Sequence, residues 1–229
     1  MKFTWMKWGA WAVVALLAGS MAMAQDQPAP SAQSGSSSTA ATPAAAPTPA
    51  AKPKPTVAQR KENQQDRIAS GVQSGQLTAA ETAKLEKKEA AINKETAADR
   101  AANGGKLTTA EKKQINHQQN QVSKQIYADK HNANTAHYGN DKVGQRRENQ
   151  QDRIAQGIKS GQMTAGEAAK AENQQKNINK QVAADRQANG GTLTASEKKQ
   201  INKEQNAASK NIYHKKHNAK TQPQAQPKP

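Results

Sequence analysis

Large aliphatic residues are sparse in this chain, and from residue 57 onward they recur at helical spacing. Ile68 and Val72 are four residues apart, and Leu85 and Ile92 are seven apart. Such spacing places the aliphatic side chains in one narrow stripe along each helix. No proline occurs between residues 57 and 220, where Ala, Gln, Lys and Glu favour helix. We therefore predict helices at 57–73, 79–102, 109–131, 143–159, 165–188 and 195–217.

A short motif, G-x-L-T-x-x-E, precedes four of these helices, with Met163 replacing Leu in the third copy. It matches a capping box, in which the Thr side chain accepts a hydrogen bond from the N–H three residues on. The Glu side chain accepts one from the N–H of the Thr. The preceding Gly permits a tight turn. The motif predicts helix caps at Thr78 and Glu81, Thr108 and Glu111, Thr164 and Glu167, and Thr194 and Glu197.

The folded region is a duplication. Residues 57–135 (repeat one) align without gaps on residues 143–221 (repeat two) at an offset of 86, and 51 of the 79 aligned pairs are identical. Residues 136–142 form the inter-repeat turn. We predict an all-α fold of two tandem three-helix repeats. Because the aliphatic stripes are thin, we expect packing of the two copies, or formation of a homodimer, to add to stability.

The first 24 residues have the layout of a signal peptide. Lys2 and Lys7 precede an apolar run at 10–17, and the segment ends in a small-x-small site at Ala24. The apolar run is shorter than the roughly 20 residues that span a bilayer. We therefore expect cleavage before Gln25, no transmembrane segment in the mature protein, and a periplasmic or secreted location.

Two further segments lack large apolar residues. Residues 25–56 consist mainly of Pro, Ala, Ser and Thr, and residues 222–229 have a similar composition. Such segments bury too little apolar surface to offset the entropy lost on ordering. We predict a disordered linker and a disordered tail.

Charge changes the functional picture. The 229 residues carry 34 Lys and Arg against 18 Asp and Glu, a net charge of +16, and no Cys. The absence of Cys excludes disulfides, cysteine–zinc sites and thiol nucleophiles. The excess charge is concentrated late in the chain, with 14 basic against 10 acidic residues in 57–142 and 16 against 7 in 143–229. A basic surface attracts polyanions, whereas the few aromatic residues disfavour sequence-specific binding of nucleic acid.

The layout QxxRIxxGxxSGxLTxxE, then ADRxxxGGxLTxxE, then SxxIYxxKHN resembles a group of exported bacterial helical proteins of uncharacterised function. The resemblance covers nearly all of each repeat. It implies an exported helical protein and no particular activity.

The turns between helices are also similar to EF-hand loops. With Glu111 as the final, bidentate position, Gly105 falls at the sixth, where the loop needs Gly. The first, third and fifth positions are Arg100, Ala102 and Gly104, which cannot ligate a hard cation. The resemblance therefore implies EF-hand-like helix–loop–helix turns without the calcium ligands.

Motifs of catalysis are absent from the sequence, and we expect the carboxylates to lie on solvated helix surfaces. We therefore expect neither enzymatic activity nor a cofactor. The candidate contact residues belong to a repeated Ile-Tyr-x-x-Lys-His-Asn ending: Tyr127, Lys130 and His131, and Tyr213, Lys216 and His217.

This ending permits two interpretations. In one it is only a helix C-terminus, where Ile and Tyr pack inward, Lys and His complement the helix dipole and Asn provides the cap. In the other it contacts anions. The leading function is non-enzymatic binding of an envelope protein or an anionic polymer. One alternative is a periplasmic chaperone, since LTxxE is similar to the LTxxQ motif of small helical stress chaperones. The other is a calcium-responsive EF-hand-like module.

Overall fold

The computed structural model of the protein describes residues 53–222, and the whole described range is helix and connecting loop. The all-α prediction is confirmed, and each helix begins and ends within one residue of its predicted bounds. The helices are α1 (Val57–Gln73), α2 (Ala79–Ala102), α3 (Thr109–Lys130), α4 (Lys142–Lys159), α5 (Ala165–Ala188) and α6 (Ala195–Lys216). The predicted signal peptide, most of the predicted linker and residues 223–229 lie outside the described residues.

Side chains from the preceding turn cap each helix. The backbone N–H of Thr78 donates to Glu81 Oε2 at 2.9 Å, and the N–H of Glu81 donates to Thr78 Oγ1 at 3.3 Å. The same reciprocal box begins α3, α5 and α6. A fifth box, formed by Thr56 and Gln59, begins α1. Asp141 caps α4 by accepting from the N–H of Gly144.

The turn between α1 and α2 depends on a close approach at Gly71. The Leu77 side chain is fully buried, and its backbone N–H donates to the carbonyl of Gly71 at 2.9 Å. A Cβ at Gly71 would lie 2.7 Å from the Leu77 side chain, so any other residue would force Leu77 to shift. Gly157 and Met163 repeat the arrangement between α4 and α5.

The two repeats pack against each other through equivalent helices. Helix α2 lies along α5, and α1 lies along α4. Ile68 and Leu85 of repeat one share a single apolar cluster with Ile154 and Ile158 of repeat two. Each of these helices thus meets its own counterpart, as in a symmetric dimer.

Buried glutamines join the first and third helix of each repeat. The Gln64 amide donates to the backbone carbonyl of Gln119 at 2.7 Å, and the Gln119 amide donates to that of Val57 at 2.9 Å. Gln150 and Gln205 make the equivalent bonds in repeat two. Composition alone does not reveal this polar contribution to the core.

Gln222 belongs to the folded unit, so the predicted start of the tail at this residue is wrong. Its side chain is buried, and its N–H donates to the carbonyl of Gly161 at 2.8 Å. Its amide donates to Gln65 Oε1 at 2.8 Å, and the Asn93 amide donates to its oxygen at 3.0 Å. The bonds to Gln65 and Asn93 attach the end of repeat two to repeat one.

Replacing Thr78 by Ala should lower the free energy of unfolding by about 0.5–2 kcal/mol, because the N–H of Glu81 loses its acceptor. Urea denaturation measures the change. Thr78→Ser keeps the hydroxyl and serves as the control, with stability close to that of the parent. Equal denaturation midpoints for the Ala variant and the parent would show that the hydroxyl does not contribute.

Candidate functional site

The repeated tyrosines are exposed rather than packed inward. Tyr127 is 62 % exposed and Tyr213 is 53 % exposed, whereas the preceding Ile126 and Ile212 are buried. The expectation that Tyr joins Ile in the core is therefore wrong. The Tyr127 ring stacks on the His131 ring with centroids 4.2 Å apart. Tyr213 and His217 stack in the same way, with centroids 4.1 Å apart.

The lysines of this ending do not join the stacked rings. The stem of Lys130 lies over Gly71 of α1, and the stem of Lys216 lies over Gly157 of α4. Burial lowers the pKa of Lys216, and the nearby Arg153 lowers it further. The structure thus brings together Tyr and His of each candidate set, while each Lys spans to a neighbouring helix.

The final residues of the motif hold the helix end in place. His131 is the C-terminal cap residue of α3, and its Nδ1 lies 2.7 Å from the carbonyl oxygen of Tyr127. The Asn132 amide donates to Glu81 Oε1 at 2.8 Å, so it joins the end of α3 to the start of α2. The expectation that Asn is the helix cap is wrong, because His131 occupies that position.

Two basic surfaces that the motif analysis missed lie beside the exposed tyrosines. We call them the arginine–tyrosine faces: Arg60, Arg67, Lys124 and Tyr127 on α1 and α3, and Arg146, Arg153, Lys210 and Tyr213 on α4 and α6. An open cleft of about 540 Å³ adjoins the first face and is lined by Arg67, Lys124 and Tyr127, among others. The equivalence of the two faces at the offset of 86 was the available sequence signal.

The arginines of these faces are held by neutral groups. Arg67 donates to Ser123 Oγ at 2.6 Å and to the Ser123 carbonyl at 3.2 Å. Arg60 donates to the Asn120 side chain. In repeat two, Arg146 donates to Asn202 and Asn206, and Arg153 donates to the Ser209 carbonyl. None of these four arginines forms an ion pair with another of the described residues, so none is paired with a carboxylate there.

Three carboxyl groups are buried where α2 packs on α5, contrary to the expectation of solvated carboxylates. Glu86, Glu89 and Glu172 have no exposed surface. The Gln65 amide donates to Glu86 at 3.3 Å, and the Gln151 amide donates to Glu172 at 2.9 Å. Neither carboxyl oxygen of Glu89 has a hydrogen-bond partner among the described residues.

Burial favours the protonated form of these acids. It raises the pKa of Glu172 to about 8. It raises the pKa of Glu89 to about 7, with Lys61 of α1 acting in the opposite direction. Burial raises the pKa of Glu86 well above its usual range, and the charge of Glu89 raises it further. Below neutral pH these acids are therefore mostly protonated, and the interface between the repeats carries little of their negative charge.

The inter-repeat turn lies against repeat two. The Arg147 guanidinium lies 5.3 Å from the centroid of the Tyr138 ring and donates to the Tyr138 carbonyl at 3.3 Å. It also donates to the side-chain oxygen of Asn179 at 2.7 Å. Burial raises the pKa of the Tyr138 phenol, and the nearby Glu172 raises it further. Asp141 pairs with Arg186 at 2.8 Å.

The carboxylates predicted for the helix caps are occupied by hydrogen bonds. Glu111 accepts from the N–H of Thr108 at 2.8 Å and from the Asn103 amide at 2.8 Å, through different oxygens. An EF-hand loop needs both oxygens of this side chain for calcium. Within residues 53–222, no three His, Asp or Glu side chains are grouped closely enough to hold a metal ion.

Comparison with protein-family models, with curated proteins and with solved structures finds nothing that matches this chain. None of the helices in the described range is both long and apolar enough to cross a bilayer.

Replacing Glu89 by Gln should stabilise the protein at pH 8 and have little effect near pH 4. Folded Glu89 binds its proton more tightly than the unfolded chain does, so the stability of the parent falls as pH rises from about 4.5 to about 7. Repeat two already carries Gln175 at this position. We expect a gain of about 1–3 kcal/mol at pH 8, measured by urea denaturation across this pH range.

Glu148→Gln is the matched control, because Glu148 is exposed on α4. Its denaturation midpoint should follow that of the parent at every pH. Glu89 does not have the raised pKa assigned to it if Glu89→Gln and Glu148→Gln show the same dependence of stability on pH.

Proposed function

We propose that this protein is a non-enzymatic, exported helical protein that binds an anionic polymer of the cell envelope through its two arginine–tyrosine faces. One observation carries the proposal: each face combines an exposed tyrosine with two arginines whose hydrogen-bond partners are neutral. A guanidinium without a carboxylate partner attracts an anion, and it can donate two parallel hydrogen bonds to a phosphate or carboxylate.

The repetition of the face supports a polymeric ligand. A polymer presents the same anionic group many times, so two equivalent faces on one chain can bind it together and raise the overall affinity. Repeat two adds to the attraction through its larger excess of basic residues. Salt should weaken such binding because it screens exposed charges.

The distribution of apolar surface favours this function over a chaperone. A chaperone of unfolded proteins needs a contiguous exposed apolar surface. Among the described residues, Tyr127 and Tyr213 are the large hydrophobic side chains that are exposed. Two separate tyrosines beside arginines suit an anionic ligand better than an unfolded chain.

Replacing Lys124 and Lys210 together by Gln, with Tyr127 and Tyr213 changed to Ala, should weaken binding to a polyanion without unfolding the protein. Both lysines and both tyrosines are exposed, so little packing is lost. Heparin is a suitable sulfated probe, and a sodium chloride gradient on immobilised heparin measures retention. We expect the variant to elute at a clearly lower salt concentration than the parent.

The charge-matched control replaces Lys84 and Lys170 by Gln. These two lysines are equivalent in the two repeats and are exposed on α2 and α5, outside the arginine–tyrosine faces. Retention close to that of the parent is expected for this control. If both variants lose retention equally, net charge alone explains binding and the faces are not the site.

Export is tested separately by the N-terminus of the protein isolated from its native cells. Cleavage after Ala24 should leave a mature chain that starts at Gln25, and mass spectrometry of the extracellular or periplasmic fraction measures this directly. Export would be contradicted if the chain were recovered only from the cytoplasm and only in its intact form. That result would not affect the binding proposal, which the heparin experiment tests.

A further inference from the structure

A groove of about 520 Å³ in repeat one corresponds to the place that the inter-repeat turn fills in repeat two. We call it the repeat-one groove. Its walls include Val57, Ala58, Lys61, Asn93 and Arg100 of repeat one, and its edge is completed by residues 164–166 of repeat two and by Gln222. Its volume falls within the range of pockets that hold a small ligand or a few residues of a peptide.

The polar residues of this groove are the counterparts of those that hold the inter-repeat turn. Three pairs correspond at the offset of 86: Lys61 with Arg147, Asn93 with Asn179, and Arg100 with Arg186. In repeat two, Arg147 lies against the Tyr138 ring, and Arg186 pairs with Asp141. The turn thus supplies a ring to one cation and a carboxylate to the other.

The described residues cover this part of repeat one less completely, with Gln222 at the edge of the groove accepting a hydrogen bond from the Asn93 amide. Val57 is only partly buried, whereas its counterpart Val143 is 4 % exposed. Arg147 is buried, but Lys61 is half-buried. Arg100 is likewise more exposed than its counterpart in repeat two.

Lys61 lies close to the carboxyl group of Glu89, but neither cation of the groove is tied to a carboxylate by an ion pair among the described residues. The Lys61 ammonium and the Arg100 guanidinium form no hydrogen bond or ion pair with the described residues. Burial lowers the pKa of Lys61; the charge of Glu89 acts in the opposite direction, and that of Arg100 lowers it further. Two neighbouring cations on a partly apolar wall favour a ligand that is both anionic and aromatic.

The adjoining segments of the chain do not have this chemistry. The segments that correspond to the inter-repeat turn at the offset of 86 read AKPKP at 51–55 and PQAQP at 223–227. Neither contains an aromatic or an acidic residue. Neither segment can therefore supply the ring and carboxylate that suit the groove.

One difference restricts how a ligand lies in the groove. A Cβ at Gly144 would lie 2.1 Å from the carbonyl oxygen of Gly139, so in repeat two the turn touches the helix backbone directly. Repeat one has Ala58 at this position. The Ala58 methyl keeps a peptide backbone further from α1, and a ligand must reach the cations with its side chains.

We propose that the repeat-one groove binds a peptide segment of a partner protein that carries Tyr and, three residues later, Asp or Glu. The ring lies beside Lys61, as Tyr138 lies beside Arg147, and the carboxylate pairs with Arg100, as Asp141 pairs with Arg186. The groove and the arginine–tyrosine faces involve different residues, so this site is independent of polymer binding.

The probe is a synthetic peptide with the sequence of residues 136–142, acetylated and amidated at its ends, titrated into the full chain by calorimetry. We expect saturable binding with one peptide per chain. Peptides with Tyr replaced by Ala, or Asp by Asn, should bind about tenfold more weakly, since each loses one charged or aromatic contact. No binding, or equal binding of all three peptides, would overturn the proposal.

Variants of the protein locate the site. Arg100→Gln should weaken binding about tenfold, whereas the charge-matched Lys87→Gln, exposed on α2, should leave it unchanged. Ala58→Gly should strengthen binding, because it recreates the close approach found at Gly144. If the peptide binds only after removal of residues 223–229, the tail occupies the groove and the proposal is wrong.

Discussion

The amide groups of Gln64 and Gln119 donate to backbone carbonyls across the α1–α3 seam, and the rest of the structure depends on bonds of this kind. Few large aliphatic residues are available, so the seams must be completed by polar side chains. A buried amide stabilises only when its partners are fixed, because an unpaired polar group in the core is costly. The same glutamine pair in both repeats therefore sets the position of the third helix on the first.

The interface between the repeats extends this use of polar side chains to acids. Glu86 and Glu172 accept from glutamine amides, and Glu89 lies close to Lys61. An acid in such a place is tolerated in its neutral form. The contact of α2 with α5 is therefore more favourable in mildly acidic conditions than in basic ones.

The helix bounds could be predicted because their signals are local. A capping box occupies four residues, and Thr78 with Glu81 identifies a helix start wherever the rest of the chain lies. The exposure of Tyr127 could not be predicted, since its helical spacing suits both a buried and an exposed position. Burial of Glu89 depends on how α2 meets α5, which is tertiary information.

A part of the candidate site was nonetheless accessible from the duplication. Gln64 and Gln65 are unchanged in repeat two, within a segment, 59–69, in which only Lys61 differs from its counterpart. Identity between copies at polar positions indicates a shared structural contact, as it does for Arg67 and Ser123. The repeat-one groove could not be predicted from the sequence, because it is recognised only by comparing which residues cover each repeat.

Joining the two repeats in one chain makes their association intramolecular and allows the two sides of the interface to differ in sequence. The short connection holds α2 and α5 at a high effective concentration, so their association does not depend on the amount of protein present. In a homodimer every substitution would occur twice, once in each subunit. Within a single chain the halves are free to diverge, and Gln175 can stand where its counterpart is Glu89. A duplicated chain thus keeps the contacts of a symmetric assembly while its two sides can specialise.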